Sequence, residues 1–193
     1  MNLILASESP YRKELLGRLN LPFTCSPAHI DEESIWQNDL SPKEVSIELA
    51  KMKAQKVFQM NPDGLVIGSD QVIALDGKIF GKPGSIEKAT QQLMALRGKT
   101  HQLITSVCLI SKSNQIVFSN ETNLKVKADL TESEIRKYVK QDLPLNCAGS
   151  YKIEGMGIAL FEKVETTDFT SIIGLPLIEL SKQLKKFNVE VFS

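Results

Sequence analysis

At 193 residues the chain suits one domain or two closely joined lobes, and it is long enough to bury a substantial core. Lys and Arg total 23, as do Asp and Glu, so no global positive field exists to hold nucleic acid or an anionic membrane, and any phosphate binding must be local. The three cysteines, Cys25, Cys108 and Cys147, lack zinc-type spacing and stand beside only two histidines, which argues against a structural metal cluster and for buried thiols in a reducing compartment.

Met1 to Ala6 has too short an apolar run and no basic flank for a signal peptide, and no later segment is long enough to span a bilayer, so a soluble cytoplasmic protein is expected. Leu3-Ile4-Leu5-Ala6 predict a first strand. Ser7-Glu8-Ser9-Pro10 then lead into a helix running to about Leu19, with Ser9 as N-cap, Pro10 at the first helical position and Leu15, Leu16 and Leu19 on its apolar face. A strand, a serine-rich turn and a helix start outline an anion site, and Arg12 in the first turn opposes the helix dipole unless an anion lies nearby. An ordinary capped helix with a solvated arginine is the other reading.

Phe23 to Ile30 predict a second strand, and Asp31-Glu32-Glu33 put carboxylates in the connection after it: solvated if alone, a divalent-cation site if another carboxylate faces them. Trp36 reads as a packing residue. Ser41 and Pro42 open a helix with Val45, Leu49 and Ala50 at helical spacing, and Lys53 sits one turn beyond Leu49, where a lysine can merely snorkel.

Leu65-Val66-Ile67 have the apolar, largely β-branched character of a buried strand, and Gly68-Ser69-Asp70 are expected to break it, so that it ends on a carboxylate. Ligand sites in α/β proteins favour strand ends, which makes Asp70 a candidate metal ligand or general base, with a turn former or helix cap as the competing reading. Val72 to Leu75 continue extended, Asp76-Gly77 predict a tight hairpin turn, and Lys78-Ile79-Phe80 return. That hairpin would carry Lys82, held between Gly81 and Pro83, alongside Asp70-Gln71, as a fixed phosphate contact or as a solvated loop lysine.

Ser85 to Leu96 predict an amphipathic helix ended by Gly98, and His101 to Ser111 and Ile116 to Ala128 two long antiparallel strands joined at Ser113-Asn114, with His101 structural. Thr131 starts another helix, with Glu134 at the reciprocal capping position and Ile135, Tyr138 and Val139 inward. The glycine-rich stretch 147–157 is a special loop without a phosphate-loop fingerprint. Ile158 to Phe161 resume a strand, and Ile172 to Pro176 lead into a last helix with Leu177, Leu180 and Leu184 inward and Lys182, Lys185 and Lys186 on a solvated face.

These pieces fit one pattern. Leu-Ala-Ser-x-Ser-Pro-x-Arg at 5–12, Asp31-Glu32, Leu49-Ala50-x-x-Lys53-Ala54, Gly68-Ser69-Asp70, Gly81-Lys82-Pro83 and Ala148-Gly149-Ser150 occur in order, and the chain resembles the Maf family of nucleoside triphosphate pyrophosphatases from near Leu3 to Ile173-Gly174-Leu175-Pro176. Tyr11, Gln71 and Glu154 occupy the positions that accompany base choice in that family, and the set is similar to the branch acting on 7-methyl-GTP. That branch commonly carries Trp where this chain has Tyr11; the branch acting on dTTP and UTP usually shows a basic residue, Thr and Gln at the three positions. Guanine methylated at N7 carries positive charge that a Tyr11 ring attracts, and Glu154, an acceptor-only carboxylate, suits the N1–H and exocyclic amine that uracil and thymine do not offer. The alternative has Tyr11 as a helix-surface aromatic and Glu154 paired with Lys152.

The resemblance implies an α/β fold with an extended mixed central sheet flanked by helices, residues 1–193 forming a single domain of two lobes with an active-site cleft. It implies hydrolysis between the α- and β-phosphates of a nucleotide with Mg²⁺ or Mn²⁺ held by Glu32 and Asp70. Asp70 is then also the proton acceptor, Arg12, Lys53 and Lys82 hold phosphates, and Ser7 and Ser9 add hydroxyl or backbone contacts. A homodimer is common in the family. Two rivals stand beside this: a pyrophosphatase for dTTP, UTP or damaged purine nucleotides, and a nucleotide-responsive regulator of septum formation.

Overall fold

The computed structural model describes residues 2–32, 35 and 39–192. Glu33, in the acidic connection, and Trp36, read as a packing residue, lie outside the described residues. In chain order the elements are β1 (Leu3–Leu5), α1 (Pro10–Gly17), β2 (Phe23–Cys25), α2 (Pro42–Met60), β3 (Leu65–Leu75), β4 (Lys78–Phe80), α3 (Ile86–Leu96), β5 (Thr100–Ile110), β6 (Gln115–Val126), α4 (Glu132–Asp142), β7 (Phe161–Glu165), α5 (Phe169–Ile173) and α6 (Leu177–Leu184). Among the described residues these strands form a seven-stranded mixed sheet in the order β2-β1-β3-β5-β6-β7, with β4 paired to β3, and helices flank it. The chain divides into two compact units, Met1–Gln71 with Thr105–Asn120 and Asp168–Ser193, and Val72–Ile104 with Glu121–Thr167.

In the first unit β1 runs parallel to both β2 and β3, with Leu3 opposite Phe23 and Leu65. Alternation along the strands splits the apolar residues between two faces. Leu3, Leu5, Leu65 and Ile67 join Leu15 and Leu16 of α1 and Leu180 and Leu184 of α6 in one core cluster. Ile4, Ala6 and Val66 join Ala50, Ala54 and Val57 of α2 in the other. Both helices begin where the residues demand: Ser9 accepts from the Arg12 N–H, and Ser41 and Glu44 form a reciprocal capping box ahead of α2.

Two expectations are corrected here. Gly68-Ser69-Asp70 do not break the strand, because β3 continues without interruption to Leu75. Gly68 serves close approach: a Cβ there would overlap the Ala50 carbonyl oxygen and lie 2.6 Å from the Ala54 nitrogen. Gly68→Ala is therefore expected to cost about 3 kcal/mol, the upper end for overpacking, read as a lower urea midpoint at constant m. The second strand stops at Cys25 and does not reach Ile30, since Pro27 brings no N–H to a ladder and His29 turns the backbone to φ 41°.

In the second unit Leu75 pairs with Lys78 and Ile73 with Phe80 around Asp76 and Gly77, whose φ values of 50° and 78° are those of the tight hairpin turn expected. β5 and β6 are neighbours, and the Ser111 N–H donates to the Asn114 carbonyl, a connection too short for a parallel crossover, so the pair is antiparallel. Thr131 and Glu134 form the second capping box, and Ile135, Tyr138 and Val139 are buried. The strand expected from Ile158 begins only at Phe161; Met156–Leu160 is a 3₁₀ turn in which the Gly155 and Gly157 N–H groups both donate to the Lys152 carbonyl. The thiols also differ from expectation, Cys25 being exposed while Cys108 is buried. Among the described residues no helix is long and apolar enough to cross a membrane.

His101 is structural, as its position indicated. It is 1% exposed, its Nε2 lies 2.9 Å from the Tyr151 hydroxyl, and its ring centroid is 5.6 Å from that of Tyr151 and 6.1 Å from that of Phe161. Burial lowers its pKa from 6.5 to about 4. The unfolded chain therefore takes up this proton at higher pH than the folded one, so the stabilisation is complete above 6.5 and is lost as pH falls toward 4. The free energy of unfolding should drop by about 2 to 3 kcal/mol from this group between pH ~7.5 and ~4.5, and His101→Gln should remove that component of the slope.

Candidate active site

The alternation that divides the core also aims the reactive groups of the first unit. Gly68 faces α2, and so, two residues on, does Asp70. Because Gly68 lets α2 approach closely, Lys53, adjacent to Ala54, reaches the Asp70 carboxylate: Nζ lies 2.6 Å from Asp70 Oδ1 and 2.7 Å from Glu32 Oε1. Asp70 is 6% exposed, and Ser46 Oγ lies 3.3 Å from its backbone carbonyl oxygen and 2.8 Å from Ser106 Oγ. Burial pushes the Asp70 carboxyl above its ordinary range, against the pull of Lys53 and Arg12.

Arg12 completes the cluster. Burial lowers its pKa from the ordinary value, while Asp70 and Glu32 pull it back up. Its backbone N–H donates to Ser9 Oγ at 3.4 Å, and the Ser9 N–H donates to Ser7 Oγ at 3.2 Å, so Ser7, Ser9 and Arg12 share one turn at the head of α1. Tyr11, 36% exposed, stands beside them in sequence. Carboxylates drawn from the connection before α2 and from the middle of β3 thus converge on one ammonium, with a guanidinium in electrostatic reach of both. The strand-end argument for Asp70 falls, since β3 runs on to Leu75; what places Asp70 in the cluster is its contact with Lys53.

The opposite face of β3 carries Ser69 and Gln71 to α5 and the glycine that follows it. Ser69 Oγ donates to the Gly174 carbonyl at 3.1 Å, and Arg12 Nε donates to the same oxygen at 3.0 Å. Gln71 Nε2 lies 2.9 Å from Thr105 Oγ1, 2.9 Å from the Ser171 carbonyl and 3.1 Å from the Ile172 carbonyl. Two of these partners are carbonyls, so the amide nitrogen must face them and the side-chain oxygen is left as the acceptor. Ser69 and Gly174 fall within short motifs visible in the sequence, but their contacts, like that of Thr105, become apparent only in the folded chain.

Lys82 and Glu154 belong to the second unit, both exposed, and both act electrostatically on Cys147, whose thiol burial holds above its usual pKa. Lys152 does not pair with Glu154, which overturns the alternative offered for that carboxylate. Its Nζ donates to the Asp142 carbonyl at 2.5 Å and lies 3.9 Å from Asp142 Oδ1. Tyr138 ties the same strut, donating to Asp142 Oδ2 at 2.8 Å and accepting the Lys152 N–H at 3.0 Å.

The donor chemistry suits a hard divalent cation. Asp70 and Glu32 offer carboxylate oxygens on either side of one cationic centre, and among the described residues no group of three or more His, Cys, Asp or Glu gathers that could hold a metal. Two carboxylates are what Mg²⁺ commonly takes from a protein, since it keeps waters and accepts phosphate oxygens for its remaining positions.

Several known proteins are similar to this chain. A 7-methyl-GTP pyrophosphatase of Bdellovibrio bacteriovorus is 44% identical over 187 residues, covering 97% of each chain. One of Pseudomonas aeruginosa is 44% identical over 191 residues, covering 98% of each. The solved structure of a HAM1 protein from Coxiella burnetii aligns with a TM-score of 0.51 over 96% of this chain and 99% of that one, at 15% identity, a likeness of fold alone. The family model for Maf-like proteins matches residues 2–187, and the chain belongs to that family.

Proposed function

We propose that this chain hydrolyses the bond between the α- and β-phosphates of 7-methyl-GTP, giving 7-methyl-GMP and pyrophosphate, with residues 1–193 working as one catalytic domain. The observation that carries the reading is the meeting of Glu32, Lys53, Asp70 and Arg12, two anionic and two cationic groups from four separate parts of the chain. Asp70 is the proton acceptor for the attacking water: burial raises its basicity, and Lys53 fixes its orientation. Arg12 bonds its own protein through Nε, which leaves the two Nη groups for bidentate contact with phosphate oxygens. Lys53 and Lys82 offset charge on the phosphates, and Ser7 and Ser9 line the turn that receives them.

Nucleotide pyrophosphatases of this kind generally depend on a divalent cation. Mg²⁺ or Mn²⁺ held by Glu32 and Asp70 would neutralise the triphosphate and polarise the phosphoryl group. The protein's own charges in the cluster cancel, so a highly anionic substrate has need of that ion. Base choice rests on Tyr11 as a cation–π platform, on the side-chain oxygen of Gln71 and on Glu154, a carboxylate without an ion pair among the described residues. A reducing cytoplasmic setting agrees with three free cysteines.

The test is one panel of kcat/KM on 7-methyl-GTP, GTP, UTP and dTTP, with magnesium or manganese and again with EDTA. The methylated nucleotide should lead GTP by about tenfold or more, the scale of a desolvated cation–π contact, and EDTA should abolish turnover. Equal rates on GTP would remove the role of the methyl group; absence of pyrophosphate from every triphosphate would overturn the reading.

A further inference from the structure

The segment that grips Arg12 and Gln71 is itself held by a residue outside every motif discussed above. Asp168 is 3% exposed, and its carboxylate accepts from the Thr170 N–H at 2.9 Å, the Thr170 hydroxyl at 2.6 Å and the Ile178 N–H at 2.7 Å. The Thr170 hydroxyl in turn accepts from the Leu177 N–H at 2.8 Å. The reason lies at the start of α6. Its N-cap residue is Pro176, which provides no side-chain cap, so the first N–H groups of that helix would go unmet. Asp168 and Thr170 reach forward to meet the Leu177 and Ile178 N–H groups, while Asp168 also caps α5.

This double cap closes residues 168–178 into a ring of fixed geometry, and carbonyls of that ring hold the Gln71 and Arg12 side chains. Ser171 and Ile172 take Gln71 Nε2, Thr105 Oγ1 adds a 2.8 Å bond to the Ser171 carbonyl, and Gly174 takes Arg12 Nε. Gly174 sits at φ 126°, a conformation side chains rarely adopt, so the carbonyl it presents depends on the turn being held. Every residue in this chain of contacts lies in the first compact unit.

We infer that Asp168 and Thr170 are positioning residues that aim the Arg12 guanidinium and the Gln71 amide by clamping the 168–178 ring. The roles of Arg12 and Gln71 toward substrate rest on the proposed function; the clamp itself does not. In Asp168→Asn one carboxylate oxygen becomes a donor facing a donor at Thr170 or Ile178, and in Thr170→Val the hydroxyl link to Leu177 is lost. Thr170→Ser retains it.

The experiment is hydrogen exchange by NMR on the full chain, following the Arg12 Nε–H and the Gln71 side-chain amide. Both should exchange about tenfold faster or more in Asp168→Asn and in Thr170→Val, return to the wild-type rate in Thr170→Ser, and do so with β1 amides unchanged. In parallel, kcat/KM for 7-methyl-GTP should fall about tenfold in either variant, yet by less than about twofold when the same change is made in an Arg12→Ala, Gln71→Ala background. Unchanged exchange at both side chains, or an equal loss in the two backgrounds, would reduce Asp168 to a helix cap and overturn the inference. Thr170→Val keeps the Asp168 carboxylate, so the test stands if Asp168→Asn does not fold. A wild-type protein that releases no pyrophosphate would defeat the proposed function while leaving the exchange comparison decisive for the clamp.

Discussion

Asp70→Asn is expected to lower kcat on 7-methyl-GTP by about a thousandfold while nucleotide binding stays within a few-fold of wild type. The amide is nearly isosteric, so the close approach of α2 at Gly68 survives, and Lys53 retains Glu32 at 2.7 Å. What is lost is the buried base, the group whose carboxyl burial holds above its ordinary range. Little stability should go with it, since the cost of burying the charge disappears along with its ion pair. Steady-state kinetics and a nucleotide titration on one preparation check both halves. The same variant addresses the rival regulatory reading in cells: should it and the wild-type chain both arrest septum formation, binding is sufficient for that effect.

The second large effect is at the base. Glu154→Gln should reduce kcat/KM on 7-methyl-GTP by about 30-fold, about 2 kcal/mol, and change UTP by less than about twofold. A carboxylate accepts from both the N1–H and the exocyclic amine of guanine, whereas a glutamine places a donor against one of them. The Tyr138–Asp142–Lys152 strut sharpens this expectation, because with Lys152 committed to Asp142 the Glu154 charge is not neutralised by its neighbour. An equal loss on both nucleotides would mean that this side chain does not read the base.

Local chemistry made much of this legible from sequence. Ser9-Pro10, Ser41-Pro42 and Thr131 with Glu134 announce their helices because a cap needs only residues within one turn. Asp76-Gly77 announces its hairpin for the same reason. A glycine in a β run signals either a turn or a close neighbour, and at Gly68 the choice depends on α2, close in the fold but outside a local sequence window. The end of the second strand is legible in Pro27, which brings no N–H to a ladder. The carbonyls of Ser171, Ile172 and Gly174 were illegible for a deeper reason: backbone groups carry no residue identity, and their partners Gln71 and Arg12 lie 100 or more positions away. Asp168-Phe169-Thr170 did carry a capping signal, hidden because the helix it begins is only five residues long.

The central claim, that these converging acids and bases cleave a nucleotide between its α- and β-phosphates, is tested most directly by phosphorus NMR of 7-methyl-GTP turned over with magnesium. The account predicts equal amounts of 7-methyl-GMP and pyrophosphate, with no orthophosphate, and about a thousandfold slower formation of both by Asp70→Asn at matched protein. Appearance of 7-methyl-GDP with orthophosphate, or an undiminished rate in the Asp70→Asn variant, would contradict it.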